Sequence, residues 1–440
     1  MGVKDTANLA LIPAAYKASK VYSALPTDGD GDFTFTRTGS GTRINKAGLI
    51  ETMATNVPRL NYRLDADGTV SSCPELLLEP ESANLLQRSE DYANSYWLKA
   101  RVGSNATGYT APDGTSNATY YEQASGQTTA AVIYKSAFTS ASSGIYTFSI
   151  WAKKGEKKYL KLQTRVNSAT YRTVFDLEYG DITYDSGNGN AKIEAYPNDW
   201  YRLSVQRTST TTNDIIVYYY LNDSAGSSDT VTDSGGLYIW GSQVEKKDIL
   251  TSYIPTAGSA VTRNKDEAEI NNFADAPTGY PFTMYVNMRI DTAVKGYGIS
   301  FGWDATSNYY YSIGYSEDSG NLRKFRFTNR GNGNAYNFNT LAEYYEGNHK
   351  LAVKFLSSTN FIAYINGIEV VNYTHTASAF NSNIQDVLLG QLREVTDTND
   401  RTPIKEAFIF NKALTDAEMV EVTSYTSLTE MATQQQYTIQ

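Results

Sequence analysis

The sequence predicts an all-β fold: an N-terminal arm or small domain followed by two β-sandwiches. Three observations carry that expectation. Tyrosine dominates the aromatic residues, with 35 Tyr against 16 Phe and 5 Trp, and it suits half-buried strands because one end packs while the other stays wet. The 32 glycines, together with many Ser, Thr and Asn residues, punctuate short segments. Charged residues are only 19%, below the usual figure of roughly a quarter, which argues against a disordered chain, a coiled coil or a charge-laced helical protein. At 440 residues the chain exceeds one ordinary domain of roughly 100–200 residues.

Residues 1–83 are the expected arm or small domain. The apolar run Leu9, Ala10, Leu11, Ile12 opens it, and Phe33-Thr34-Phe35-Thr36-Arg37 alternates as a strand should. Pro58, Pro74 and Pro80 break residues 50–85 into short extended pieces, too irregular to bury a large core alone. Such a segment gains order by packing on something else, so truncation of residues 1–80 is expected to leave both sandwiches folded. Asp28, Asp30 and Asp32 resemble the start of a calcium loop, but the twelfth position is Gly39 rather than Glu, and a turn is the better reading.

Residues 84–265 are the first sandwich. Tyr146 to Trp151 puts Tyr146, Phe148 and Ile150 on one face and Trp151 on the other; residues 200–205 alternate again, and 215–221 form a continuous apolar and tyrosine run, as in a central strand. Turn chemistry such as Asp113-Gly114 and Gly235-Gly236 separates the strands. Seven or more strands over this length suit a jelly roll. Residues 266–425 are the second sandwich, with strands expected near 282–290, 297–303, 309–315, 325–328, 350–355, 387–392 and 405–410. Asn366-Gly367 marks a hairpin between 360–365 and 369–373. Thr415 and Glu418 have capping-box spacing ahead of Met419 and Val422, which predicts a helix. Residues 426–440 form a polar tail.

The net charge of −9 disfavours electrostatic binding to nucleic acid or an anionic membrane. No stretch approaches the roughly 18 apolar residues of a membrane span. Cys73 is the only cysteine, so no intramolecular disulfide forms, and residues 1–11 lack a signal-peptide pattern. Folding in a reducing cytoplasm is expected. No Ser-His-Asp order, phosphate loop or H-E-x-x-H is present, and the two histidines and lone cysteine argue against zinc binding.

Several local patterns resemble known modules. Residues 83–92 (Ala83-Asn84-Leu85-Leu86-Gln87-Arg88-Ser89-Glu90-Asp91-Tyr92) with Trp97, then Asp199-Trp200-Tyr201-Arg202-Leu203, Trp240-Gly241-Ser242-Gln243-Val244-Glu245, Thr251-Ser252-Tyr253-Ile254-Pro255-Thr256 and Val261-Thr262-Arg263 resemble the jelly-roll modules of bacteriophage virion proteins. Those modules are similar to carbohydrate-binding modules. Asp32 to Arg37, Asn56 to Leu60 and Cys73 to Pro80 resemble the segment that precedes such modules. Tyr364-Ile365-Asn366-Gly367, residues 404–410 and Ala413 to Glu418 resemble laminin-G-like or concanavalin A-like lectin sandwiches. The resemblance implies a head or tail fibre subunit in the virion, made in the host bacterial cytoplasm. It implies attachment to other virion proteins through residues 1–83, adhesion to bacterial surface glycan, and assembly as a homotrimer. A structural fibre without glycan binding and a glycan depolymerase are the two alternatives; no long β-helical repeat accompanies the second, so the protein is read as a non-enzyme.

Sugar binding in water needs flat apolar faces for the ring and amides or carboxylates for the hydroxyls. The candidate residues are Trp151, Trp303, Tyr309, Asn332, Tyr336, Asn399 and Asp400. Trp151 is chosen over Trp97, Trp200 and Trp240 because it falls opposite Phe148 and Ile150, whereas Trp200 and Trp240 read as core. The bland alternative is that the rings are strand packing and the polar loops are turns. A structural calcium is the one cofactor considered, with Glu79, Glu81, Glu245, Asp304, Asp397 and Asp400 as candidate oxygen ligands.

Overall fold

A computed structural model describes residues 2–13, 15–139, 143–187, 190–210, 214–232, 234–290, 295–302, 309–317, 323–331, 334–340, 344, 346–376, 385–391, 401–425 and 430. Two sandwiches make up the molecule, and one is inserted into the other.

The outer, terminal sandwich is built from both ends of the chain. Its first sheet runs, in spatial order, Ile368–Thr374, Asn360–Ile365, Gly347–Ser357, Phe282–Ile290, Thr402–Phe410, Val70–Leu78 and Leu60–Leu64; Leu9–Leu11 also pairs with Thr402–Phe410. Its second sheet runs Tyr16–Lys17, Lys20–Val21, Phe33–Thr36, Glu267–Ile270, Val387–Leu389, Lys295–Phe301, Tyr310–Glu317, Arg323–Gly331 and Asn334–Asn339. Alternation fills the space between: Phe282, Met284, Val286, Met288 and Ile290 point inward and meet Phe33, Phe35, Leu76, Leu78 and Phe355. The opposite face of the same strand is covered too. Tyr285 packs with Phe408, Phe410, Met419 and Val422 under the helix Asp416–Ser424 and the N-terminal turn Val3–Thr6.

Residues 1–83 are therefore neither a free arm nor a separate small domain. Leu9, Ala10 and Leu11 lie opposite Ile409, Phe408 and Ala407 in an antiparallel ladder, and all three are fully buried. Leu76 to Leu78 continues along the same edge of the same strand, opposite residues 402–404. The proline-broken pieces look irregular in sequence, yet Val70–Leu78, with Pro74 inside it, pairs locally with Leu60–Leu64 and on its other edge with residues 402–404, a partner the local sequence does not reveal.

The inserted jelly roll leaves the terminal sandwich through a stem, in which Ser82–Asn84 pairs with Val261–Arg263. One sheet runs Leu98–Ala100, Val132–Thr139, Asp214–Asn222, Tyr159–Val166, Ala169–Asp176 and Asp181–Asp185; the other runs Val102–Tyr109, Ala118–Gln123, Gly235–Glu245, Gly144–Lys153, Trp200–Ser209 and Lys192–Tyr196. Phe148, Ile150, Leu160, Leu162, Val217, Tyr219 and Ile239 form the core between them. The fold is thus all-β, with two sandwiches.

Local chemistry sets the ends of elements. The turn at Asn366 (φ 47°) and Gly367 (φ 85°) is left-handed at both central residues, as the right-handed twist of a two-residue hairpin demands. Thr415 Oγ1 accepts from Glu418 N at 3.2 Å, while the Glu418 carboxylate accepts from Thr415 N at 2.7 Å. Replacing Thr415 with Ala removes one half of this cap, and a loss of about 1 kcal/mol in the urea-unfolding free energy is expected.

The junction between stem, N-terminal strands and jelly roll is ionic and dry. Arg59 Nη1 lies 2.8 Å from Glu79 Oε2, and its Nη2 pairs with Asp266. Arg37 Nη1 lies 3.1 Å from Asp266 Oδ1, Arg263 Nη2 3.5 Å from Glu79 Oε2, and Arg401 Nε 3.5 Å from Glu79 Oε1. Ser252 of the jelly roll donates to Glu79 through both N and Oγ, at 2.8 and 2.6 Å. Arg37, Arg59, Glu79 and Arg263 come from four of the sequence segments that carry the resemblance to virion modules, and they converge on this one cluster.

Candidate functional site

The described surface that best combines flat apolar rings with directional polar groups is the outer face of the jelly roll's first sheet. In Asp214–Asn222, Ile215, Val217, Tyr219 and Leu221 are buried inward, while Ile216, Tyr218 and Tyr220 alternate outward and stay half-buried. The run that looked uniformly apolar in sequence is split by the pleat into a core face and a tyrosine face. Register then aligns neighbours: Tyr134 lies opposite Tyr218, Tyr218 opposite Gln163, and Gln163 opposite Arg172. One row across four strands thus reads Tyr134, Tyr218, Gln163, Arg172.

The rings form a strip. Tyr134 and Tyr218 centroids lie 5.3 Å apart with planes 20° from parallel, and Tyr218 and Tyr220 lie 5.9 Å apart at 25°. Lys161 holds one end: it is buried, sits 4.6 Å from the Tyr220 ring centroid, and is ion-paired to Asp229. Burial lowers the Lys161 pKa and Asp229 opposes that shift. At the other side, Arg172 Nε donates to Gln163 Oε1 at 3.0 Å, which fixes the buried amide. Burial raises the pKa of Tyr218, with Arg165 opposing, and of Tyr220, with Asp229 adding to it. Both phenols therefore remain neutral hydroxyl donors around pH 7. The strip can lie edge-on along the apolar face of a pyranose, and the guanidinium and phenol groups beside it can meet the sugar hydroxyls. The signal in the sequence was the spacing of Tyr218 and Tyr220 within the strand; their partner Tyr134 is visible only through the register.

The sequence-selected residues fare differently. Trp151 does fall on the opposite face from Phe148 and Ile150, but it is 0% exposed and is no sugar platform. That outer face is roofed by Ile50 of the N-terminal segment and by Tyr253, and the ring makes edge contacts with Tyr196, Trp240 and Tyr253 at 5.2–5.7 Å. Gly241, at φ +67°, lets the neighbouring strand approach, since a Cβ there would lie 2.8 Å from the Trp151 ring. Trp200 and Trp240 share this box and are buried, and Trp97 lies in the jelly-roll core. Tyr309 is half-buried at the start of Tyr310–Glu317. The ladder sets Tyr310 opposite Arg330 and Asn329 opposite Tyr336, so Tyr309 and the backbone of Tyr336 lie toward one end of the second sheet. The Tyr336 side chain, and Trp303, Asn332, Asn399 and Asp400, lie outside the described residues.

The calcium candidates of the stem have other partners. Glu79 faces three guanidinium groups, which replace a cation there. Glu245 accepts from Ser82 Oγ at 2.7 Å and from the Thr251 hydroxyl, and Glu81 is exposed. Asp304, Asp397 and Asp400 lie outside the described residues. Among the described residues no three acidic, histidine or cysteine side chains gather as a metal site, and no helix is long and apolar enough to cross a membrane.

No protein-family model matches the chain, and no curated protein matches it. Solved structures resemble parts of it. A carbohydrate-binding module of a Ruminococcus gnavus sialidase, bound to α2,3-sialyllactose, is 16% identical over 33% of this chain and 84% of that one, with a TM-score of 0.28. A pentraxin from Limulus polyphemus is 13% identical over 33% of this chain and 70% of that one, also at 0.28. The binding domain of botulinum neurotoxin DC, in complex with rat synaptotagmin II, is 16% identical over 36% of this chain and 39% of that one, again at 0.28. Likenesses at that level carry no argument about activity. The architecture stands on the strands themselves: an all-β chain of two sandwiches.

Proposed function

We propose that the protein is a bacteriophage virion fibre subunit that adheres to host-surface glycan through the outer tyrosine face of its inserted jelly roll. The observation that carries the adhesive reading is the strip Tyr134, Tyr218 and Tyr220 with Gln163 and Arg172 in register beside it. The virion assignment rests on the ordered motif string, whose charged members meet in the stem cluster. Attachment to other virion proteins then uses the terminal sandwich as a folded unit, not a free arm. Homotrimeric assembly is part of the same reading. Contact with sugars is non-covalent, and the reading is of a non-enzyme.

The test is retention of labelled full-length protein on host cells before and after removal of surface polysaccharide. Binding should vanish with the polysaccharide. Tyr218→Ala should weaken it roughly ten-fold, about 1.4 kcal/mol, whereas Tyr218→Phe keeps the ring and most of the affinity. No retention by any variant on a host that the phage infects would favour the purely structural fibre, and new reducing ends would favour the depolymerase.

A further inference from the structure

Between the two sandwiches lies a cleft of about 740 Å³, within the size range of ligand pockets, roughly 300–1,000 Å³. One wall is the outer face of the jelly roll's second sheet, where Arg202, Ser204 and Gln206 follow one another at strand spacing. The facing wall belongs to the terminal sandwich and includes Arg63 and Arg289. An exposed pair, Lys192 Nζ and Glu346 Oε1 at 3.5 Å, bridges the two bodies.

The cations around this cleft are not equivalent. Arg63 is paired with Asp65 at 2.6 Å, Arg289 with Glu75 at 2.6 Å, Arg401 with Glu79 at 3.5 Å, and Lys192 with Glu346. Arg202 has no carboxylate partner among the described residues. It is 4% exposed. Its Nη1 donates to Thr251 O at 2.9 Å and its Nη2 to Ser149 Oγ at 3.4 Å; its Nε finds no acceptor among the described residues. The guanidinium carbon lies 4.3 Å from the centroid of the buried Trp151 ring. Glu194, opposite Arg202 in the ladder, is exposed and makes no ion pair with it. A buried guanidinium held by neutral groups alone is costly, and it favours an anion arriving from the cleft. Lys192 lies opposite Ser204, one row along from Arg202 on the neighbouring strand, so the two cations flank one patch of the wall.

We infer that this cleft binds an acidic saccharide, its carboxylate directed to Arg202 and Lys192 and its hydroxyls to Ser204 and Gln206. The inference rests on the glycan-adhesive reading and adds to it a second subsite with a charge requirement. It is distinct from the tyrosine strip, which lies on the other sheet of the jelly roll.

The test is calorimetric titration of the full-length chain with an oligogalacturonate, with the same oligosaccharide after carboxyl reduction, and with inorganic phosphate alone. The acidic oligosaccharide should bind at least ten-fold more tightly than the other two. Lys192→Glu, an exposed change that leaves the fold intact, should weaken it about ten-fold, and Glu194→Gln should strengthen it two- to five-fold. Equal affinity for the acidic and neutral sugars, equal affinity for phosphate, no binding at millimolar sugar, or indifference to both cleft variants would overturn the inference. The two readings fail separately. Cell adhesion abolished by Tyr218→Ala with no acidic-sugar binding leaves the adhesive face standing without the cleft. Acidic-sugar binding sensitive to Lys192→Glu, in a protein whose adhesion ignores Tyr218→Ala, leaves the cleft standing without the strip.

Discussion

A chain lacking residues 1–80 is expected to lose its terminal sandwich altogether. The deletion removes Leu9, Leu11, Val21, Phe33, Phe35, Leu60, Leu76 and Leu78 from a single core. At roughly 1.5–3 kcal/mol for each fully buried side chain, those eight amount to about 12–24 kcal/mol, more than the 5–15 kcal/mol that typically holds a domain together. It also uncovers the edge of Thr402–Phe410, which pairs with Leu9–Leu11 and Val70–Leu78, and an unpaired edge of that length invites aggregation. The measurement is thermal unfolding with limited proteolysis: residues 266–425 should be cut rapidly and show no cooperative transition. A truncated chain that protects those residues as the full chain does would restore the free-arm expectation drawn from the sequence.

The second large effect is expected at the stem. Glu79→Gln should destabilise the protein by about 3–5 kcal/mol, the usual cost of removing one partner from a buried ion pair. Arg59, Arg263 and Arg401 would then share a dry site with too little negative charge. Burial alone would raise the Glu79 pKa, but the three arginines outweigh it and hold the carboxyl well below the usual range. The sign of the pH dependence follows. A carboxyl depressed in the folded state contributes its full stability above its unfolded value of about 4.3, and that contribution is lost as pH falls from there toward the folded value. The wild-type urea midpoint should therefore fall more steeply below about pH 4 than that of Glu79→Gln, whose gap from the wild type should narrow. A gap that stays constant from pH 7 to pH 2 would show that the cluster's contribution is steric and not ionic.

Much of the secondary structure was legible in the sequence because it depends on neighbours. The period-2 pattern of residues 282–290, the Asn366-Gly367 hairpin and the Thr415–Glu418 cap each need only local chemistry. The candidate site was far less legible. Trp151 was on the face that alternation assigns it to, yet alternation says nothing about what covers a face. Tyr218 and Tyr220 were hidden in a run that reads as apolar on both sides, and Tyr134 joins them only through a ladder whose paired positions are 84 apart in the chain.

What the sequence by itself determined was the kind of protein: all-β, two sandwiches, tyrosine-rich strands and polar turns. Period, turn residues and composition act over a few residues, so they survive without knowledge of the partner. The tertiary structure alone decided which strands share a sheet, that one sandwich is inserted into the other, and which aromatic face remains open. Those outcomes turn on pairings such as Leu9 with Ile409. A strand edge accepts any partner with compatible hydrogen bonds and burial, so such a choice is settled by the whole core and not by the local sequence.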